Sequence, residues 1–426
     1  MGCPKGKVKG YPPEGRAPSL GRVDERTFGL RNSYSVMVSA AGQQRLPSGD
    51  EAGRRLFGPV VSAGQATGVL LRNGGQLHLE VASRPEYATP DCSSAPDLVV
   101  HDKAGERILE GLVAEAAERS RENAAPGGIS VLKASAGPYG CREDYLVTRR
   151  GEFGRLADVL IPFLVTRQLI CGTGAVARTP RGALYCLSRT AERAGDGPLS
   201  AAALSAATRS RPFISSRADA RPAVAGLQRL RVIISDPAMS ETTTLLKAGA
   251  TDLVLRMAEA GTRLPGLMLA SPVQAMGEVS RDITGRGRVL LADGGAVTAL
   301  DIQREYLARA KDLAGSHGAD EAGRRVLGLW ERALDAIDAG NLDAIAREID
   351  WVIKYQLIER YRAAHDLPLS APQVAQADLA YHDIDRGRGL YYQAQRGGAV
   401  DRTARDIDIF AAKTVPPPPG RYRQAG

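Results

Sequence analysis

Residues 71–92 read LRNGGQLHLEVASRPEYATPDC, and the first half of this stretch has the pattern of a β-hairpin. Two β-like segments, Val69–Leu71 and Gln76–Val81, flank the four residues Arg72–Gly75. An Asn-Gly pair between such segments favours a tight turn, because glycine tolerates the positive φ angles that hairpin turns require. The sequence therefore predicts two antiparallel strands joined by this turn.

The second strand of the hairpin alternates polar and apolar residues. Successive side chains of a strand point to opposite faces of the sheet, so Gln76, His78 and Glu80 share the face opposite to the leucines. Glu86 follows shortly after them. Carboxylates beside an imidazole can hold a hard divalent cation such as Mg²⁺, and a second carboxylate can act as a general base. A solvated outer face of a hairpin is the alternative interpretation of the same pattern.

Apolar periodicity predicts further helices and strands in the rest of the chain. The predicted helices are Asp97–Arg121, Asp158–Leu169, Val326–Ala339 and Leu342–Tyr361, and one more that opens at Ser240 as its N-cap. The predicted strands are Val131–Lys133, Tyr145–Val147 and Leu230–Ile234, with a loop over Ala134–Asp144. Strands do not alternate regularly with helices, so the order of elements favours an α+β fold over a doubly wound sheet.

Composition excludes several classes of protein. The chain has 426 residues, 43% hydrophobic and 24% charged, with a net charge of +8, which is typical of a folded protein of two or three domains. No apolar run is long enough for a transmembrane helix, and no secretory signal pattern opens the chain. The 5 cysteines are scattered and form no C-x-x-C pair, so we expect a reducing, cytoplasmic location without a disulfide framework.

Common nucleotide and hydrolase motifs are absent from the sequence. It contains no G-x-x-x-x-G-K-[ST], no G-x-S-x-G and no H-E-x-x-H, and we interpret the glycines of 172–174 as a chance match to a dinucleotide motif. No run of basic residues predicts a nucleic-acid partner. Three arginines, Arg209, Arg211 and Arg217, precede the predicted strand at 230–234. Their guanidinium groups can bind phosphate, or they can form an exposed basic loop.

Several segments, taken together, resemble the Pup ligase and depupylase (Pup deamidase) family, and they occur in order over most of the chain. The segments are LRNGGQLHLEVASRPEYATPDC (71–92), HDKAGERILE (101–110), YGCREDYL (139–146), PFLVTRQLICGTG (162–174), ATRSRPFISSR (207–217), MSETTTLLKAG (239–249), ALDIQREYLARA (299–310), EIDWVIK (348–354) and DLAYHDIDRGRGLY (378–391). The short distance between Phe28-Gly29 and the hairpin resembles the ligase branch rather than the depupylases.

The resemblance implies a glutamine-synthetase-like (carboxylate–amine ligase) fold, with a curved antiparallel sheet, packed helices and a small C-terminal domain. It implies an ATP- and Mg²⁺-dependent ligase that phosphorylates the C-terminal glutamate of the small protein Pup and joins it to a lysine of a target protein. On this basis we expect a flexible tail over 1–22, a catalytic domain over 23–395 and a truncated C-terminal segment over 396–426. Neither nucleic acid nor a membrane is an expected partner.

The resemblance also assigns roles to single residues. Glu25, His78 and Glu86 stand at positions that contact the metal in the ligases, Glu80 at the position of the catalytic aspartate, and Gln76 and Thr89 at positions that contact ATP. The arginines at 209, 211 and 217 would neutralise phosphate charge.

Several of these positions depart from the family pattern. The six departures are Thr27 for Glu, Gln76 for Arg, His78 for Tyr, Glu80 for Asp, and Arg142 and Arg231 for His. A permanent cation at the last two positions can repel Mg²⁺ or, alternatively, bind phosphate directly. Three hypotheses follow, namely an active Pup ligase, a catalytically impaired paralogue that binds Pup or nucleotide in a regulatory role, and a ligase for another amine or carboxylate.

Overall fold

A computed structural model describes residues 26–40, 43–45, 56, 68–80, 84–122, 128–134, 140–148, 153–180, 182–196, 213–217, 227–404 and 407. The described strands are β1 Phe28–Ser33, β2 Ser35–Ala40, β3 Gln43–Arg45, β4 Gly68–Leu70, β5 Gln76–Glu80, β6 Arg84–Ala88, β7 Gly128–Leu132, β8 Cys141–Thr148, β9 Ala175–Thr179, β10 Gly182–Cys186, β11 Ile214–Arg217, β12 Leu227–Ser235, β13 Arg288–Leu290 and β14 Ala296–Thr298. Seven of them form the main sheet, in the order β11-β12-β8-β1-β6-β5-β4, and every neighbouring pair is antiparallel.

Helices pack against one face of this sheet. The described helices are α1 Ala95–Glu122, α2 Phe153–Thr166, α3 Gln168–Cys171, α4 Arg189–Asp196, α5 Glu241–Glu259, α6 Pro272–Ser280, α7 Ala299–His317, α8 Glu321–Asp338, α9 Asp350–His365, α10 Pro372–Ala380 and α11 Leu390–Arg396. Helix α5 is central, because it contacts α1, α2, α7 and α8. The predicted α+β class and its antiparallel sheet are confirmed. None of the helices in the described ranges is both long and apolar enough to cross a bilayer.

The predicted hairpin is present as β4 and β5. Gly74 adopts a φ of +80°, and the Asn73 side chain accepts a hydrogen bond of 2.9 Å from the Gly75 amide, which closes the turn. Leu77 is 1% exposed on the helix-facing side, while Gln76 and His78 on the other side are only half-buried. The alternation of the sequence therefore correctly separates the two faces of the strand.

Two predictions of local structure are wrong. Cys141–Asp144 belongs to strand β8 and not to a loop, because Glu143, which breaks the apolar pattern, is buried in an ion pair with Arg167. The predicted helix Leu342–Tyr361 is divided into a short 3₁₀ turn and α9. The division occurs where the Asp350 carboxylate accepts the amide of Ser240, 3.0 Å away.

Helix α1 packs so closely against the sheet at Gly105 that no larger residue fits there. A Cβ atom on Gly105 would overlap the ring of Tyr87, which is fully buried and whose hydroxyl accepts a 3.0 Å hydrogen bond from Asn73 in the hairpin turn. The close approach of α1 therefore also fixes the hairpin.

Replacing Gly105 with alanine is expected to reduce the free energy of unfolding by about 1–3 kcal/mol, the usual cost of overpacking. Gly111 in the same helix is the matched control, because an added Cβ there has no neighbour within 4 Å. Gly111→Ala should instead stabilise the protein by about 0.5–1 kcal/mol, since alanine is the better helix residue. Urea denaturation measures the free energy of unfolding of both variants. If the two substitutions changed it in the same direction, this packing would be contradicted.

Candidate active site

The face of the main sheet opposite to the helices carries a row of charged residues. Cross-strand pairing aligns Arg31 of β1 with Arg142 of β8, and Asp144 of β8 with Arg231 of β12. On the hairpin side, His78 of β5 is paired with Glu86 of β6. We call this surface the open face.

Glu86 lies at the centre of the open face and is paired with two arginines. Its residue exposure is 3%, and one carboxylate oxygen forms an ion pair with Arg142. The other oxygen lies 3.4 Å from Nη1 of Arg31. A carboxylate this deeply buried requires such partners, because its charge is costly to remove from water.

Asp144 continues the row toward β12. Arg231 forms a forked contact with it, at 2.9 Å from Nε to Oδ1 and 3.3 Å from Nη2 to Oδ2. Nε of Arg31 lies 3.6 Å from Oδ2 of the same carboxylate, so this arginine links Asp144 with Glu86. The row therefore runs across the four strands β6, β1, β8 and β12 as alternating guanidinium and carboxylate groups.

Arg229, near the start of β12, extends the row by pairing with Asp91. Two parallel contacts of 3.0 Å join the guanidinium of Arg229 to the carboxylate of Asp91. The four arginine side chains of the row keep between 17% and 32% of their surface exposed. Within the part of the chain that the structure describes, they contact three carboxylates, and each guanidinium keeps part of its surface open to an incoming anion.

Polar residues of the hairpin and of β6 border the row. Nε2 of His78 and Oε1 of Gln76 form a hydrogen bond of 2.9 Å, and both side chains are half-buried. The Thr89 hydroxyl accepts the amide of Leu30 at 3.0 Å, which ties the end of β6 to β1. Gln76, His78 and Thr89 therefore form the border of the open face on the side of the hairpin.

A buried ion pair supports the row from the helix side. Arg167 forms a forked pair with Glu143, the residue that lies between Arg142 and Asp144 on β8. Burial opposes ionisation of Glu143, but the guanidinium overcomes it and lowers the pKa of this carboxyl. Strand β8 is thereby fixed on both of its faces.

The structure brings together some of the predicted site residues and leaves others outside its description. Gln76, His78, Glu86, Thr89, Arg142 and Arg231 lie on or beside the open face. The backbone of Glu80 pairs with Arg84, and that of Arg217 with Arg229, but these two side chains fall outside the described residues. The same is true of the whole of Glu25, Arg209 and Arg211.

Four residues of the row were not predicted from the sequence, namely Arg31, Asp91, Asp144 and Arg229. Arg31 had a detectable signal, because it alternates with the apolar Phe28 and Leu30 along β1. Asp144 and Arg229 are recognisable only through the strand register, and Asp91 only through its contact with Arg229.

Comparison with known proteins shows similarity over nearly the whole chain. A family model described as Pup-ligase protein matches residues 20–425. The crystal structure of the complex between prokaryotic ubiquitin-like protein Pup and its ligase PafA superposes with a TM-score of 0.84 at 35% identity, covering 92% of this chain and 80% of that chain. The Pup ligase PafA in complex with ADP gives a TM-score of 0.76 at 36% identity, covering 89% and 83%.

Proposed function

The chain belongs to the Pup-ligase family, and on this premise we propose that it conjugates Pup, or a Pup-like small protein, to target lysines at the expense of ATP. The side-chain carboxylate of a C-terminal glutamate attacks the γ-phosphorus of ATP, which releases ADP and forms an acyl phosphate. A deprotonated lysine amine then attacks the acyl carbon, the C–O bond to phosphate breaks, and an isopeptide bond remains.

The observation that carries this proposal is the arginine row on the open face. Phosphoryl transfer needs positive charge around the transferred group, and forked guanidinium groups match phosphate oxygens in geometry. Arg31, Arg142, Arg229 and Arg231 supply that charge within reach of solvent. We assign them, together with Arg209, Arg211 and Arg217, to binding the phosphates, and Gln76 and Thr89 to the remainder of the nucleotide.

We propose that Glu25, His78 and Glu86 hold Mg²⁺, whose chemistry is to shield the phosphate charge. The Glu86 carboxylate is the hard oxygen donor that Mg²⁺ prefers. Mg²⁺ would have to compete with Arg142 and Arg31 for this carboxylate, because each guanidinium contacts one of its two oxygens. His78 is a weaker donor for this ion, because Mg²⁺ favours oxygen ligands.

Replacing Arg142 with histidine is expected to lower the Mg²⁺ requirement for ATP binding. The Mg²⁺ concentration at which ATP binding is half-maximal should fall by about tenfold or more. Two unit charges 4 Å apart interact by about 1 kcal/mol in water and about 4 kcal/mol near a protein surface, and 1.4 kcal/mol corresponds to tenfold. Calorimetric titration of ATP binding at increasing Mg²⁺ measures the shift. Arg288→His, on the exposed strand β13, is the control and should change nothing. An unchanged Mg²⁺ requirement in Arg142→His would contradict the competition.

Incubation of the protein with ATP, Mg²⁺, a glutamate-ended Pup and a lysine-bearing target tests the proposed function. We expect a covalent conjugate, detected by gel shift and mass spectrometry, with one ADP formed per isopeptide bond. A Pup that ends in glutamine is the control, because its carboxamide cannot be phosphorylated. Binding of nucleotide and Pup without a conjugate would refute the ligase in favour of a regulatory paralogue.

The remaining assignments are proposals that accompany this function. We place the reaction in the cytoplasm and the catalytic domain within 23–395, with a tail over 1–22 and a C-terminal segment over 396–426. Truncation at residues 22 and 395, followed by the same conjugation assay, tests these boundaries.

A further inference from the structure

A second group of ligand-bearing side chains lies outside the open face, where β6 leads into α1. Cys92 pairs with Phe28 at the start of β1 through two backbone hydrogen bonds of 2.9 Å each. Asp97 and His101 follow on the first two turns of α1, four residues apart. Since residues four apart on a helix lie on one side of it, both side chains face the cysteine.

The ligand atoms of these three residues are close enough to share one ion. The sulfur of Cys92, a carboxylate oxygen of Asp97 and a ring nitrogen of His101 all lie within 4.8 Å of one another. Nε2 of His101 is 3.6 Å from Oδ1 of Asp97. Tetrahedral Zn²⁺, with bonds of about 2.0–2.3 Å, places its ligand atoms about 3.4–3.7 Å apart, so a small contraction completes the geometry.

Burial and charge also suit a zinc ion. Cys92 is 1% and His101 7% exposed, while the Asp97 side chain is 37% exposed and provides a path for entry. Burial raises the pKa of the Cys92 thiol, which donates to the carbonyl oxygen of Pro90 at 3.3 Å, so the ion would displace the thiol proton. The resulting thiolate and the Asp97 carboxylate would balance the two positive charges of the ion. Burial lowers the pKa of His101, so the imidazole is neutral, as a metal ligand must be.

Helix capping explains only part of this arrangement. Oδ2 of Asp97 accepts the amide of Ser93 at 3.4 Å, and the amide of Asp97 donates to the Ser94 hydroxyl at 3.2 Å. These contacts are typical of a helix N-terminus. They leave Oδ1 directed at His101, and they do not require a buried thiol beside the imidazole.

We propose that Cys92, Asp97 and His101 bind one Zn²⁺ ion, with water as the fourth ligand. Sulfur and nitrogen donors select zinc over the hard Mg²⁺ proposed for the open face. The ion would join Cys92, in the connection between β6 and α1, to the first two turns of α1. Because Cys92 is hydrogen-bonded to Phe28, the start of β1 would be held as well. The ion would therefore stiffen the segment that carries Thr89 and Asp91 at the border of the active site.

Titration of the metal-free full chain with Zn²⁺ and with Co²⁺, in excess Mg²⁺ and without ATP or Pup, tests this proposal. We expect one Zn²⁺ per chain and a thiolate-to-Co²⁺ charge-transfer band in the near ultraviolet. Cys92→Ser should abolish the band and weaken Zn²⁺ binding by about a hundredfold or more. Cys186→Ser, which removes another buried cysteine away from the cluster, should retain both.

Two further variants keep the test decisive where Cys92→Ser fails to fold. Asp97→Asn alters the most exposed ligand and should raise the Kd for Zn²⁺ by about tenfold or more, and His101→Gln should do the same. Zn²⁺ should raise the Tm of the wild type more than that of either variant. No charge-transfer band in the wild type, or unchanged binding in these variants, would overturn the zinc site. Because the titration needs no nucleotide, its failure leaves the proposed ligase activity untouched.

Discussion

Replacing Glu80 with glutamine is expected to slow isopeptide formation by about 10²–10⁴-fold, the usual contribution of a general base. We propose that this carboxylate, at the position of the family's catalytic aspartate, takes a proton from the lysine amine so that the amine can attack, and a carboxamide cannot do so. Glu80 is at the end of β5, two residues beyond His78, and its backbone pairs with Arg84. Single-turnover formation of the conjugate at saturating ATP and Pup measures the rate.

Hydroxylamine separates this role from a general loss of activity. It is a neutral nucleophile at pH 7 and captures an acyl phosphate without help from a base. Glu80→Gln should therefore still form the Pup hydroxamate while failing to modify lysine, and Glu80→Asp, which keeps the carboxylate, should form the conjugate. Equal losses of hydroxamate and conjugate in Glu80→Gln would show that Glu80 acts elsewhere in the reaction.

Replacing Lys133 with methionine is expected to reduce the free energy of unfolding by about 3–5 kcal/mol, the cost of breaking a buried ion pair on one side. The Lys133 ammonium is fully buried and lies 2.7 Å from both Asp102 and Glu106 of α1. Burial would raise the pKa of Glu106, but the ammonium groups of Lys103 and Lys133 lower it to about 2, so this carboxylate stays charged. Loss of Lys133 therefore leaves negative charge inside the protein with too little compensation.

Urea denaturation at neutral pH measures this effect. The matched control is Lys311→Met, because Lys311 forms its ion pair with Glu331 at the surface, where 41% of its side chain is exposed. Surface pairs contribute about 0–1 kcal/mol, so the control should change little. A similar, small effect of both substitutions would mean that the buried cluster is dispensable for stability.

The sequence correctly predicted the elements whose pattern is local. The Asn-Gly turn, the alternation along β5, the N-cap at Ser240 and the long helix α1 depend on residues within a few positions of one another. Predictions were wrong where a distant partner decides the local structure. Glu143 extends a strand because Arg167 neutralises it, and Asp350 opens a helix where it accepts the amide of Ser240.

The candidate site divides in the same way. Family resemblance located Glu86, Arg142 and Arg231 in the sequence, because a motif is a property of neighbouring residues. It could not show that Arg142 and Glu86 form an ion pair, since 56 residues separate them along the chain. Nor could it show that Asp144 joins Arg31 to Arg231.

The sequence by itself therefore determined the α+β class, the hairpin and the family, because these depend on local periodicity and on ordered motifs. Only the tertiary structure decided which charges meet. The register of β1, β6, β8 and β12 aligns four arginines with three carboxylates on the open face, and packing of α1 brings Asp97 and His101 to Cys92. Contacts between side chains follow from strand register and helix packing, which join parts of the chain that no local pattern connects.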